Sequence, residues 1–82
     1  SLADAGAAGD GSVKSPLPGK IIDVKVKEGA TVSRGDALLV LEAMKMEHTL
    51  TAPADGKVKR VIYGVGDQVA EGVDLIEFEP SS

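Results

Sequence analysis

P-L-P-G-K-I-I-D-V-K-V-K-E-G-A-T-V-S-R-G-D-A-L-L-V-L-E, residues 16–42, aligns without gaps on P-A-D-G-K-V-K-R-V-I-Y-G-V-G-D-Q-V-A-E-G-V-D-L-I-E-F-E, residues 53–79, at an offset of 37. Nine of the 27 pairs are identical: Pro16/Pro53, Gly19/Gly56, Lys20/Lys57, Val24/Val61, Gly29/Gly66, Val32/Val69, Gly35/Gly72, Leu38/Leu75 and Glu42/Glu79. Ile21/Val58, Leu39/Ile76 and Leu41/Phe78 keep apolar character. Two copies predict a quasi-twofold domain, because a solenoid needs at least three repeats. Each copy is rich in β-branched residues, carries a glycine-bearing turn every few positions and shows no apolar spacing of helical period, so the chain reads as all-β. Val24 to Lys27 alternate apolar and polar, but Ile21 sits three residues before Val24, which predicts a bulge near Ile22 and Asp23. Gly29, Gly35, Gly66 and Gly72 recur at equivalent repeat positions, where tight turns call for positive φ.

Two thin sheets, each drawing strands from both copies, let Ile21, Val24, Val32, Leu39, Leu41, Val58, Val61, Val69, Ile76 and Phe78 share one core in a flattened barrel or sandwich. The segment joining the copies, 43–52, must then fold back as a hairpin at one end, with Lys45 at its tip. Ahead of the first copy, S-L-A-D-A-G-A-A-G-D-G-S at 1–12 has nothing to anchor it in a core and reads as a flexible Ala/Gly linker, leaving 13–80 as the domain. A coil of that length spans roughly 20 Å root-mean-square. The chain opens at Ser1 without Met, as a fragment would.

The 82 residues include one Tyr, one Phe and no Trp, so the core is aliphatic and thin, and no deep enzyme cleft is expected. Thirteen acidic against nine basic side chains give a net charge of −4, with Lys and Arg dispersed among Asp and Glu, which argues against nucleic acid or anionic membrane as a partner. The longest apolar runs, such as Ala37 to Leu41, fall far short of the roughly 20 residues that span a bilayer, so a soluble protein is expected. With no cysteine and a single histidine, His48, the chain lacks a thiol nucleophile and the three protein ligands of a catalytic zinc site. Nothing assembles a nucleophile, a base and an oxyanion site, and the domain is expected not to catalyse. Gly19-Lys20 is no phosphate loop, because Ile21 follows and the upstream glycine spacing is absent.

The connecting segment is Glu42-Ala43-Met44-Lys45-Met46-Glu47-His48-Thr49, and with it the chain closely resembles the biotinyl/lipoyl carrier domain family, from about Val13 to Glu79. The resemblance is carried by the repeat, by A-M-K-M at 43–46, and by S-P-x-P-G at 15–19, G-D-x-L at 35–38 and A-P-x-D-G at 52–56. It implies a hammerhead-type fold of two antiparallel four-stranded sheets. It also implies that Lys45 receives biotin from a biotin protein ligase, within the recognition motif Ala43, Met44 and Met46, with Glu47 contributing to ligase recognition. An exposed alkylamine is mostly protonated at neutral pH, so the ligase must supply both the activated acyl group and the deprotonation. Met44 and Met46, two residues apart, would ordinarily be core filler; at a hairpin tip with little core to enter they read as a soft recognition surface. Glu42, repeated as Glu79, reads as a solvated strand-end charge.

By the same resemblance the domain is a biotin carboxyl carrier, in which biotin on Lys45 moves a carboxyl group between biotin carboxylase and carboxyltransferase sites of a biotin-dependent acyl-CoA carboxylase, a ligase. Glu47-His48 after the motif looks most like the carriers of methylcrotonyl-CoA carboxylase alpha subunits and related enzymes. The location implied is cytoplasmic in a bacterium and the mitochondrial matrix in a eukaryote. Three alternatives stay open. Lipoyl carriers share the fold but usually show D-K-A at the turn; a hammerhead-like module of an efflux or fusion adaptor gives no reason for A-M-K-M; and decarboxylase or transcarboxylase carriers also place small-residue linkers before the domain. Carriers of bacterial acetyl-CoA carboxylase have an extra loop for which the gapless repeat leaves no room.

Overall fold

In the computed structural model, residues 11–81 are described, and their β-branched stretches form eight strands and no helix. The first four are β1 (Ser12–Lys14), β2 (Gly19–Val24), β3 (Thr31–Val32) and β4 (Ala37–Ala43). The second four are β5 (Met46–Thr51), β6 (Gly56–Val61), β7 (Gln68–Val69) and β8 (Asp74–Pro80). One antiparallel sheet runs β1-β8-β6-β3 and the other β5-β4-β2-β7. No ladder joins the two among the described residues, so the expected barrel or sandwich resolves as an open sandwich.

An offset of 37 carries each strand of the first sheet onto its counterpart in the second: β1 onto β5, β6 onto β2, β3 onto β7 and β8 onto β4. The repeat therefore reaches further than residues 16–42 and 53–79, taking in Val13/Leu50 and Ser15/Ala52, all four buried. The symmetry extends to individual hydrogen bonds. Gly29 N–H donates to the Val58 carbonyl and Gly66 N–H to the Ile21 carbonyl, both at 2.7 Å; Gly35 donates to Ala52 and Gly72 to Ser15, both at 2.8 Å. Each copy's turns thus close on the other copy's backbone, and neither copy satisfies its own polar groups alone. Gly29, Gly35, Gly66 and Gly72 hold φ of 86, 90, 94 and 86°, the left-handed region that a side chain resists.

Eight of the ten expected core residues are buried, and Val24 and Val61 pack against the core while partly exposed. Val13, Leu38, Leu50, Ala52 and Leu75 are buried as well. Leu38 and Leu39 are both fully buried, as are their mates Leu75 and Ile76; strict alternation would turn one of each pair outward. The β4–β5 register shifts between Ala37 and Leu39, and the β1–β8 register shifts between Val13 and Lys14, which frees both side chains from alternation. The predicted bulge lies between Ile21 and Asp23, and its mate between Val58 and Arg60. β2 ends at Val24, so the alternation that continues to Lys27 leaves the ladder, with Val26 still packed on the core.

Residues 1–10 of the expected linker lie outside the described residues. Ser12 opens β1, one residue before the expected domain start, and the Gly11 carbonyl accepts a 2.7 Å hydrogen bond from Phe78 N–H. β1 is held further by Asp74, whose carboxylate accepts from Ser12 Oγ and pairs with the Lys14 ammonium.

Candidate functional site

Ala43 is the last residue of β4 and pairs across the ladder with Met46, the first of β5, so the hairpin is closed by two residues, Met44 and Lys45. Their φ angles are 54° and 64°. Positive φ at both central residues is the pattern of a type I′ turn, whose twist matches that of the flanking strands and which normally selects Asn-Gly. Methionine and lysine there cost about 1–2 kcal/mol each in backbone strain. Such strain persists only where the surroundings over-determine it, and here the six-pair β4–β5 ladder does so.

The base of the turn is packed tightly. Ala43 is 5% exposed. A Cβ at Gly19, where β2 begins, would overlap the Glu42 carbonyl oxygen and lie 3.1 Å from Ala43 Cβ. Glycine at 19 therefore lets β2 approach the end of β4 and fix the hairpin from below. The residues beyond face solvent: Met44 is 80% exposed, Met46 63%, and Lys45 and Glu47 are exposed too. Met44 and Met46 are thus surface, with the core packing ordinarily expected of methionine absent. Glu42 stands directly opposite Lys20 on one side and Glu47 on the other. Like charges directly opposite destabilise a ladder, so the Glu42–Glu47 pair adds to the strain of the tip.

Three residues past the lysine, His48 stands opposite the fully buried Leu41 and therefore shares its inward face. Its Nε2 is buried with no hydrogen-bond partner, at a cost of about 1–3 kcal/mol. Among the described residues no group of three or more His, Cys, Asp or Glu side chains could hold a metal ion, and no helix is long and apolar enough to cross a membrane.

Lys45 also lies far from the described chain ends. The start of β4 is tied to the end of β8: Asp36 O accepts from Ala52 N–H at 2.8 Å, and Asp55 accepts from Arg34 N–H through its carboxylate at 2.9 Å and from Ser81 N–H through its carbonyl at 2.8 Å. From there β4 runs its full length, about 20 Å at roughly 3.3 Å per residue, to the turn. An amine in this position is a handle rather than a pocket group. It can be acylated without entering a cleft and can carry what it receives away from the body.

The sequence brought Ala43, Met44, Lys45, Met46 and Glu47 to one hairpin end, and the structure places them there. The left-handed pair at 44–45 had no local signal, because Met-Lys is not a turn dipeptide; the aligned repeat left all of 43–52 as the connection, and only the β4–β5 ladder shortens the loop to two residues. The orphaned His48 nitrogen likewise needs the strand register to be seen.

The family model described as "Biotin-requiring enzyme" matches residues 11–78. The chain is 48% identical over 69 residues to the mitochondrial methylcrotonoyl-CoA carboxylase subunit alpha of Rattus norvegicus, covering 84% of this chain and 10% of that protein. It is 48% identical over 66 residues to the mitochondrial pyruvate carboxylase of Homo sapiens, covering 80% and 6%. Among solved structures, a single-chain, multi-domain long-chain acyl-CoA carboxylase superposes with a TM-score of 0.81 at 35% identity, covering 94% of this chain and 8% of that one. The chain spans a tenth or less of each of these proteins.

Proposed function

The chain belongs to the biotin/lipoyl attachment family of biotin-requiring enzymes, with biotin as its cofactor, and on that premise we propose that biotin is attached through an amide to the Nζ of Lys45. The observation that carries the proposal is the turn itself: the lysine is lifted on a strained two-residue loop, flanked by exposed methionines, at the end of the domain away from its described termini. The residues fit the group. An exposed amine at the tip of a turn is what acylation by a second enzyme requires.

The chain then serves as the non-catalytic carrier portion of a biotin-dependent carboxylase. Biotin, when attached, supplies a nitrogen that can hold and release a carboxyl group; the domain supplies position. Gly19 and the β4–β5 ladder hold the turn rigid, Met44 and Met46 present apolar contact area to a biotin protein ligase, and Glu47 adds charge beside them. Tethering makes visits to a biotin carboxylase site and a carboxyltransferase site intramolecular, at high effective concentration. As acceptor we favour an acyl-CoA, on the strength of the alignments to methylcrotonoyl-CoA and long-chain acyl-CoA carboxylases; the alignment to pyruvate carboxylase is of equal identity and makes a 2-oxo acid the competing acceptor. The mitochondrial relatives support the mitochondrial matrix if the source is a eukaryote, and the similar pyruvate carboxylase of Staphylococcus aureus fits the cytoplasm if it is a bacterium.

Co-expression with a biotin ligase, followed by intact-mass measurement, tests the attachment. One biotinyl increment is expected for the native chain and none for Lys45→Arg, with Lys20 and Lys57 left in place. A lipoyl increment, or biotin retained by Lys45→Arg, would refute the assignment. Assay of the parent enzyme with acyl-CoA substrates against pyruvate decides the acceptor.

A further inference from the structure

The chain contains two methionines, no cysteine and no tryptophan, and both methionines stand on either side of Lys45 in water. Neither belongs to the core, which is made of Val, Ile, Leu, Ala and one Phe. A thioether is the side chain best suited to fill irregular gaps in a core; this chain puts both of its own where they fill none. Oxidation of a methionine follows the exposure of its sulfur, and the product is a polar, chiral sulfoxide. With no thiol to compete and no buried methionine to disrupt, an oxidant would act on the tip and leave the sandwich intact.

From this we infer that Met44 and Met46 are a peroxide-sensitive modification site that controls the loading of Lys45, an inference that rests on biotin attachment at that lysine. In each step a hydroperoxide transfers one oxygen to the thioether sulfur. The peroxide O–O bond breaks, an S–O bond forms, sulfur loses two electrons, and hydrogen peroxide leaves as water. The two most exposed apolar side chains at the acceptor become polar, and an enzyme that docks on them loses apolar contact area. Met44, more exposed and outside the ladder, reacts before Met46, which is anchored opposite Ala43. The change is chemically reversible, since methionine sulfoxide reductases restore the thioether.

The experiment uses the whole chain, untreated, treated with hydrogen peroxide, and treated and then reduced with the two epimer-specific sulfoxide reductases. Expected are an increase of one and then two oxygen atoms in intact mass, with peptide mapping locating the first on Met44. The melting temperature should stay within a few degrees of the untreated chain. Biotin ligase should load the oxidised chain about tenfold more slowly, the effect of losing one well-buried apolar contact, and reduction should restore the rate. Equal loading rates before and after oxidation, a slowed rate that reduction does not recover, or loss of the fold on oxidation would each overturn the inference while leaving biotin attachment standing. An untreated chain that fails to load would overturn the attachment itself.

Discussion

The two ends of the sandwich are built from the same repeat and finished differently. At one, β4 turns through Met44 and Lys45 into β5, and Met46, Glu47 and His48 pair with Ala43, Glu42 and Leu41. At the other, β8 is the mate of β4, but its partner β1 begins at Ser12 opposite Glu77, so the described part of β1 has three residues where β5 has six. Beside the end of β8 lies an open groove of about 530 Å³ lined by Gly11, Ser12, Lys59, Asp74, Glu77, Phe78, Glu79 and Pro80. In the other sheet the equivalent strip of β4 is covered by the start of β5. Pro80 stands where Ala43 stands in the first copy and has no N–H to extend the ladder. Among the described residues, the same pattern thus makes a fixed, strained two-residue turn after β4, whereas β8 runs on to Pro80 without one. The repeat builds the scaffold, and the turn that joins its two copies builds the site.

Adding a methyl group at the two equivalent glycines should break this comparison most strongly. A Cβ at Gly56 would overlap the Glu79 carbonyl oxygen and meet Phe78 Cζ at 2.6 Å and Pro80 Cα at 2.9 Å, whereas at Gly19 it overlaps one carbonyl and approaches Ala43 at 3.1 Å. Chemical denaturation should therefore show a loss of about 3 kcal/mol or more for Gly56→Ala and about 2 kcal/mol for Gly19→Ala. Equal losses would mean that the two equivalent glycines are packed no differently.

The turn provides the next contrast. Replacing Met44 by Asn, which tolerates left-handed φ, should raise stability by about 1 kcal/mol while slowing biotin loading. A gain in stability with loading unchanged would remove Met44 from the recognition surface.

The smallest effect separates β1 from β5 by pH. The Lys14 ammonium, and after it the Ser12 hydroxyl, hold the Asp74 carboxyl below its ordinary value of 3.8, whereas the equivalent position in β4 is Ala37. A depressed carboxylate pKa contributes stability above the ordinary value and loses it as pH falls through the folded-state value. Melting temperature should therefore drop more steeply below about pH 4 in the native chain than in Asp74→Asn. Parallel pH profiles would show that the ion pair does not hold β1. Asp23, lowered by its hydrogen bond from Lys25, is present in both proteins and cancels.

Much of this was legible in the sequence because it is periodic. The offset of 37 exposes the dyad, the four equivalent glycines and most of the core, since symmetric burial demands apolar residues at matched positions. The same logic failed at Leu38 and Leu75, where a register shift buries neighbours that alternation would separate, and at Val13 and Leu50, where the repeat continues past its identical residues. The site divides in the same way. A-M-K-M and its place between the copies pointed to an exposed tip, while the left-handed backbone of Met44 and Lys45, the burial of Ala43 against β2 and the unpartnered His48 nitrogen left no local trace.

The all-β class, dyad, turn glycines and the lysine between the copies were determined by the sequence by itself, because each follows from composition and spacing along one chain. Which groups are strained, which are packed and which are left open was decided only by the tertiary structure. Those properties depend on the register between strands and on contacts between residues such as Gly19 and Ala43 that lie far apart in the chain.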